Sequence, residues 1–474
     1  MKFNFEKTIF GKTIFLSFFI TTILFSFGCE PPATNTNATA NTNANGSVSN
    51  MTANATNTSA QNNPSTPAMP VTLPVLDAMF SDESFAADLK SKLQLTDEQI
   101  DKLKTASSQA VSNLREDEKG EQAGSTRASL AQSDKQIREI LGDDKANKLF
   151  ELVHQRWSGD AEDAKTLAGN SSNSGLAKLN SIPTDTRIVV NAPAYRMDAF
   201  QDGKLVKSYK IGIGYPEFPL PAGMRRAKEI IFNPTWTPPD EPWVESSNKV
   251  KVGEKVAAGD KLNPLGPIKI PIGYPSLIHG GKNPARLGTF ASHGCVGMTN
   301  QQVQDFALVL ANMSGTTLTK EDVKNYEKTK TETKNVNLGK AIPVELRYET
   351  IVVENGKLKI YRDVYERGTN TEENLRRVLD VYGVSLDSLS QPERDKILNG
   401  LKQMALDAQG NSVGTDNAQN VNSNSTNVNA NANSKTNNSN SESVTRNIKG
   451  KKELTFEIAA LKGKGYPAAM MAQK

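Results

Sequence analysis

The spacing of apolar positions changes near residue 187 and divides the chain into a helical part and a β-rich part. Between residues 77 and 167, apolar side chains recur every three or four positions, which is the period of an amphipathic helix. Thr96 precedes one such run, and Gln99 follows three positions later at the spacing of a capping box. The pattern predicts a small α-helical segment with a break at Gly142. Its predicted core positions are Ile100, Leu103, Ala106, Ala110, Leu114, Ile137, Leu141, Leu149, Leu152 and Val153.

From Arg187 onward, short runs rich in β-branched residues alternate with turn signals. Asp202 and Gly203 separate two such runs, which is a hairpin pattern, and a similar strand–turn–strand pattern surrounds residues 354–356. Short strands with only one or two helices predict a mainly β domain, a sandwich or a barrel, rather than a parallel α/β sheet.

Helical spacing returns twice in this second part of the chain. One helix is predicted to begin after Thr299 as N-cap, with Gln302 as its capping partner. Residues 369–407 are predicted to form a C-terminal helical extension, and the basic tail 447–474 is interpreted as a solvated end rather than a contact to anionic wall polymer. The stripe that the helix after Thr299 is predicted to bury is Val303, Phe306, Ala307 and Leu310.

Two tracts have the composition of disordered linkers. Residues 31–76 contain no Asp, Glu, Lys or Arg, and residues 408–446 are similarly rich in Asn and Ser. Such segments bury too little apolar surface to offset the entropy of ordering, so we predict disorder over 29–76 and 408–446. The net charge of +4 is small for 474 residues, and no Lys/Arg stripe indicates a nucleic-acid partner.

The N-terminus has the pattern of an export signal. A lysine-containing start is followed by sixteen uncharged, mostly apolar residues, a length typical of a signal peptide and short for a membrane span. The segment ends at Gly28-Cys29 and resembles a bacterial lipoprotein signal, although Ser26 stands where that pattern usually has Leu. We therefore expect residues 1–28 to be removed, Cys29 to be lipidated, and the protein to be membrane-anchored in the cell envelope or periplasm.

Two of the three histidines and one of the two cysteines lie within seventeen residues, as His279, His293 and Cys295. Three chemistries fit such a cluster: a three-ligand zinc site, a cysteine nucleophile with a histidine base, or a buried thiol among core histidines. The clustering favours the second. In it, His279 would activate Cys295, and the backbone N–H groups of Gly294 and Cys295 would form an oxyanion hole.

The stretch HGGKNPARLGTFASHGCVGM resembles the signature of the L,D-transpeptidase (YkuD-type) family. The flanking stretches RIVVNAPAYRMDAF, NPTWTPP, NPLG and PVELRYETIVVENGKLKIYRDVY are also similar to that family, so the resemblance covers about residues 185–368. It implies a β-sandwich domain that cross-links peptidoglycan stem peptides without a metal or cofactor. A thiolate would attack the carbonyl carbon of the peptide bond to the terminal D-Ala of a tetrapeptide stem. D-Ala would leave, and the enzyme would then pass the acyl group to an amine.

The resemblance also implies a role for each motif residue. Cys295 would be the nucleophile and His279 the general base, oriented by the backbone carbonyl of Gly280. His293, Gly294 and Cys295 would supply the oxyanion environment, and Ser292 would position the loop. Arg286 and Trp236 are the predicted substrate-binding residues.

One departure from the family pattern lies beside the nucleophile. The family commonly has an arginine two residues after the cysteine, and this chain has Gly297. An arginine there would bind a carboxylate well, so we expect Arg286 or another basic residue to replace it. Two other functions remain open: an L,D-carboxypeptidase that uses water as the acceptor, and an inactive wall-binding lipoprotein.

Overall fold

The computed structural model describes residues 71–80, 82–112, 125–158, 179–238, 250–251, 253–406 and 450–470. The predicted signal peptide, Cys29, Leu114 and the linker 408–446 lie outside these residues, as does most of the linker 29–76. Within the described part of the chain, no helix is long and apolar enough to cross a membrane.

In the part of the chain that the structure describes, five helices form the predicted helical segment. Thr96 and Gln99 form the expected capping box, each backbone N–H donating to the other side chain at 3.2 Å. Gly142 ends the fourth helix, as predicted. The predicted apolar stripe is packed in one cluster of its own. The helices are α1 (Leu73–Phe80), α2 (Glu83–Leu93), α3 (Asp97–Ser112), α4 (Thr126–Leu141) and α5 (Asp143–Ser158).

Helix α1 begins inside the stretch that composition predicted to be a linker. Its residues Leu73, Val75 and Leu76 are buried in the core of the helical segment. The prediction was wrong here because it used the absence of charge, and an uncharged stretch is also what a fully buried helix requires.

The second part of the chain is a β-rich domain with a mixed sheet of eight strands. Their order across the sheet is β3-β2-β1-β10-β5-β6-β7-β9, with β1–β10 and β7–β9 parallel and the other neighbours antiparallel. The thirteen described strands are β1 (Arg187–Asn191), β2 (Arg196–Gln201), β3 (Lys204–Lys210), β4 (Ile213–Gly214), β5 (Gly223–Phe232), β6 (Ile268–Pro271), β7 (Leu277–His279), β8 (Phe290–Ser292), β9 (Val296–Gly297), β10 (Lys334–Arg347), β11 (Ile351–Glu354), β12 (Lys357–Tyr361) and β13 (Glu453–Glu457).

Local signals in this domain predicted the right elements. Asp202 and Gly203 form the β2–β3 turn with φ of 49° and 76°. Helix α6 (Asn300–Ser314) begins with a capping box between Thr299 and Gln302. Its predicted stripe is buried in the core cluster shared with the sheet, together with Ala311 and Met313. Helix α7 (Lys320–Lys328) follows and leads into β10.

Strands β11 and β12 belong to a separate small sheet, completed by a strand from the C-terminal tail. Strand β13 pairs with β12, with Phe456 opposite Leu358. Helices α8 (Glu372–Val381) and α9 (Gln391–Met404) pack on this sheet in a third core cluster. The tail is therefore not a solvated end, because residues such as Phe456 and Leu461 are buried in that cluster.

Phe456 provides a test of the tail's contribution to stability. Phe456→Ala should lower the free energy of unfolding by roughly 2–4 kcal/mol, because the ring is buried against α9 and its loss leaves a cavity. Chemical denaturation of the full chain measures this change. Lys462→Ala, at an exposed position nearby, is the matched control. Equal stability of the two variants would contradict a packed tail.

Candidate active site

Two neighbouring strands bring His279 and Cys295 together. Strand β7 ends at His279, and β9 begins immediately after Cys295 and pairs with β7 in parallel. In this register, Ile278 faces Val296 and His279 faces Gly297. The intervening chain returns through a short 3-10 turn (Pro284–Arg286) and β8, so the predicted fold-back between the two residues is present.

The backbone after His279 packs tightly against two other segments. Gly281 has a φ of 79°, and a Cβ there would collide with the Pro264 carbonyl oxygen. Its N–H donates to Asn300 Oδ1 at 2.7 Å, at the start of α6. This packing fixes the position at which β7 ends, and with it the histidine.

The His279 ring is oriented by the backbone. Its Nδ1 lies 2.8 Å from the carbonyl oxygen of Gly280, as predicted. A carbonyl only accepts, so the neutral ring has its proton on Nδ1 and its lone pair on Nε2. Burial, with the positive charge of Lys282 as a smaller cause, lowers the pKa of His279 to about 3. The ring is therefore neutral at physiological pH and able to accept a proton.

Cys295 is a half-buried free thiol at the end of a tight loop. Burial raises its pKa, and the backbone of Leu277 and the charge of Lys282 oppose that rise only in part. Ser292 Oγ donates to the Cys295 carbonyl at 2.5 Å and accepts from the Cys295 N–H at 3.1 Å. Ser292 therefore holds the loop, and the Cys295 N–H that we predicted as an oxyanion donor is engaged with it.

Gly294 and His293 complete this loop. Gly294 has a φ of 84°, in the left-handed region that favours glycine, as expected for the residue before the thiol. The His293 ring contacts Tyr215 and Phe218 edge-on, at centroid distances of 5.0 and 4.9 Å. His293 is thus packed between aromatic rings. Within the described residues, no group of three or more His, Cys, Asp or Glu side chains could hold a metal ion.

Residues 185–324 match the model of the YkuD family, the L,D-transpeptidase catalytic domain. This match includes every residue of the Cys/His cluster. Members of this family act on peptidoglycan stem peptides. No curated protein matches the chain.

Solved structures of L,D-transpeptidases are among those similar to the chain. A mutant of the Enterococcus faecium L,D-transpeptidase is 19% identical over 34% of this chain and 50% of its own, with a TM-score of 0.22. The E. faecium catalytic domain is 18% identical over 35% of this chain and 100% of its own, with a TM-score of 0.22. An L,D-transpeptidase from Mycobacterium smegmatis is 15% identical over 34% and 58%, with a TM-score of 0.19. The chain spans about half the length of the E. faecium mutant structure.

The helical segment contacts the β-rich domain beside the site. Thr72 Oγ1 donates to the Glu217 carbonyl at 2.7 Å, and Thr126 Oγ1 donates to the Pro216 carbonyl at 2.9 Å. These carbonyls lie between Tyr215 and Phe218, the two rings that contact His293. The helical segment therefore fixes one wall of the site.

Arg286 and Trp236, the two predicted substrate-binding residues, have different surroundings in the structure. Arg286 Nη2 donates to the Phe290 carbonyl at 3.0 Å and to the Tyr215 hydroxyl at 3.4 Å, so its guanidinium supports the loop itself. Trp236 is half-buried and forms a backbone bridge with Val256. A role in substrate binding stays a prediction for both residues.

Sequence reasoning missed three residues that support the site: Lys282, Asn300 and Tyr215. Lys282 influences both reactive groups, Asn300 anchors the strand end after His279, and Tyr215 packs on His293. Their residue types are common in loops and helix starts. No local pattern distinguishes them, because their partners are 19 to 78 positions away along the chain or are defined only by the sheet register.

The pKa directions predict how Cys295 responds to pH. A raised thiol pKa with a neutral imidazole means little thiolate at neutral pH, so alkylation by iodoacetamide should accelerate roughly tenfold per unit from pH 6 to 8. Its midpoint should lie above the ordinary thiol value of about 8.5. Mass spectrometry of Cys295 measures the rates. A pH-independent rate below pH 7 would instead indicate a preformed thiolate–imidazolium pair.

Ser292 provides a test of the loop's hydrogen bonds. Ser292→Ala should lower the free energy of unfolding by about 1–3 kcal/mol, because it leaves the Cys295 N–H and carbonyl without their buried partner. Thermal or chemical denaturation reports the change. The control is Ser388→Ala, which removes a hydroxyl that donates to the Ser385 carbonyl at an exposed turn. If Ser388→Ala destabilised the protein as much as Ser292→Ala, the proposed role of Ser292 would be wrong.

Proposed function

We propose that this protein is an active L,D-transpeptidase that cross-links peptidoglycan through Cys295. The observation that supports the proposal is the parallel pairing of β7 with β9, in which a histidine hydrogen-bonded to the backbone ends one strand and a free cysteine immediately precedes the other. The family match over residues 185–324 supports the same substrate class, a stem peptide.

The first half-reaction is acylation of the thiol. The lone pair on His279 Nε2 accepts the Cys295 proton as Sγ attacks the carbonyl carbon before the terminal D-Ala of a tetrapeptide stem. The C–N bond then breaks, the departing amine takes the proton from His279, and a thioester remains on Cys295. Because both groups are neutral at rest, proton transfer accompanies the attack rather than preceding it.

The second half-reaction transfers the acyl group to an amine of a neighbouring stem. His279 accepts a proton from this amine as it attacks the thioester carbon. The C–S bond breaks and the proton returns to Cys295, so the enzyme is regenerated. Backbone N–H groups at His293 and Gly294 are proposed to stabilise the oxyanion of both tetrahedral intermediates. Gly294 suits this role because its left-handed backbone turns the loop before the thiol.

We further propose that the domain works outside the cytoplasmic membrane on a lipid anchor at Cys29. The support is the sequence of residues 1–29 and the location of peptidoglycan itself.

The direct test is incubation of the purified full chain with tetrapeptide muropeptides, followed by mass spectrometry. Cross-linked dimers and free D-Ala are expected from the wild type. Cys295→Ser should form neither, and His279→Gln should lower turnover at least ~10²-fold, because it removes the general base. His154→Gln, at an exposed position of α5, is the matched control and should retain activity.

The products also separate the competing functions. Trimmed tripeptides without dimers would indicate that water is the acceptor and that the protein is a carboxypeptidase. Absence of both products, with folded protein and an unmodified thiol, would indicate a wall-binding protein without activity and would overturn the proposal.

A further inference from the structure

The side chain of Lys282 lies over Gly297. A Cβ added at Gly297 would lie 2.9 Å from Lys282 Cγ, 3.1 Å from Cε and 3.4 Å from Cδ. Three carbons of the lysine therefore follow the space that a side chain at position 297 would occupy. Gly297 is two residues after the nucleophile, so this lysine runs along the edge of the active site.

The backbone fixes this arrangement on both sides. Gly297 exchanges two backbone hydrogen bonds with Gly212, each 2.9 Å, and it pairs with His279 across the sheet. The Lys282 N–H donates to the Met298 carbonyl at 3.0 Å, and the Met298 N–H donates to the His279 carbonyl at 2.8 Å. The base of the lysine side chain is thus held beside β9 by the same network that positions His279.

The charge of Lys282 acts at the reaction centre. It contributes to the lowered pKa of His279 and opposes the burial-driven rise in the pKa of Cys295. An ammonium that influences both groups from a half-buried position is suited to bind an anion next to them.

Other cations near the loop face elsewhere. The Arg286 guanidinium donates to the Phe290 carbonyl and the Tyr215 hydroxyl. Lys452 Nζ donates to the Gly288 carbonyl, and the Lys210 side chain also packs against Gly288. These contacts are on the far part of the loop between His279 and Cys295, whereas Lys282 follows the strand that leaves Cys295.

We propose that Lys282 selects the donor stem by binding its terminal carboxylate. The lysine side chain reaches this position through the space that Gly297, which has no side chain, leaves open. The inference rests on the proposed transpeptidase function and deepens it. In a stem ending in D-Ala, this carboxylate is one residue from the carbonyl that Cys295 attacks. A lysine ammonium binds it as a compact charge with three donors, rather than as the planar fork of an arginine.

A cycle of two variants and two donor peptides tests this role. Lys282→Met keeps the length of the side chain and removes its charge. On a tetrapeptide donor ending in a free carboxylate, it should lower kcat/KM at least ~10-fold, mainly through KM. On the same peptide ending in a carboxamide, which has no charge to bind, the loss should be several-fold smaller, because only the effect of the lysine charge on His279 and Cys295 is removed. Lys210→Met is the matched control and should affect neither donor.

A second variant tests the space over Gly297. Gly297 does not lie in the left-handed backbone region, so a larger residue is conformationally allowed. Lys282→Ala removes the side-chain carbons that lie over Gly297. The double variant Lys282→Ala with Gly297→Arg should restore the preference for the carboxylate donor. Lys282→Ala alone should lack that preference. Failure of the double variant to recover it, with a folded protein, would count against the shared space.

The outcomes distinguish this inference from the proposed function. Wild-type protein that uses neither donor would overturn the function itself. If the wild type is active and Lys282→Met lowers kcat/KM equally on both donors, the lysine acts on the thiol and not on the carboxylate, which overturns the inference. If Lys282→Met lowers kcat/KM on neither donor, the lysine has no role in donor binding, which also overturns it. If the carboxamide reacts too slowly to measure, the two peptides are compared as protectants of Cys295 against iodoacetamide, and only the carboxylate peptide should lose protection in Lys282→Met.

Discussion

The parallel pairing of β7 with β9 is the constraint on which the rest of the site depends. A parallel pair needs a crossover, and here the crossover is the glycine-containing loop from Gly280 to Gly294. His279 ends the first strand and Cys295 precedes the second, so the register alone sets their relative positions. Anchoring of Gly281 by Asn300 and of Cys295 by Ser292 fixes both ends of this loop.

Burial of the pair determines its chemistry. Removing both groups from water favours their neutral forms, which lowers the pKa of the imidazole and raises that of the thiol. In the proposed reaction, a neutral pair transfers its proton during the attack, so the orientation of the base matters more than a permanent charge on the nucleophile. The Gly280 carbonyl supplies that orientation. Lys282 then provides a positive charge without joining the proton transfer.

Segments distant in the sequence surround this centre. The helical segment holds the backbone of Pro216 and Glu217 through two threonine hydroxyls, and the adjoining aromatic rings pack on His293. The C-terminal tail, which follows residues 407–449 in the sequence, adds a strand to the small sheet. Both additions lie outside residues 185–324, so the support of the domain is broader than the family match.

The sequence by itself determined the local elements and indicated the candidate reactive residues. Capping boxes at Thr96 and Thr299, turns at Asp202-Gly203 and near Gly356, and the apolar stripe of α6 depend on neighbours within a few positions. The motif at Cys295 could also be recognised in the sequence, because histidine and cysteine, which are scarce in this chain, are clustered there. Only the tertiary structure decided that α1 is buried, that the tail forms β13, and that Lys282 covers Gly297. Each of these depends on contacts between segments far apart in the chain or across a sheet register, and local periodicity contains no information about such contacts.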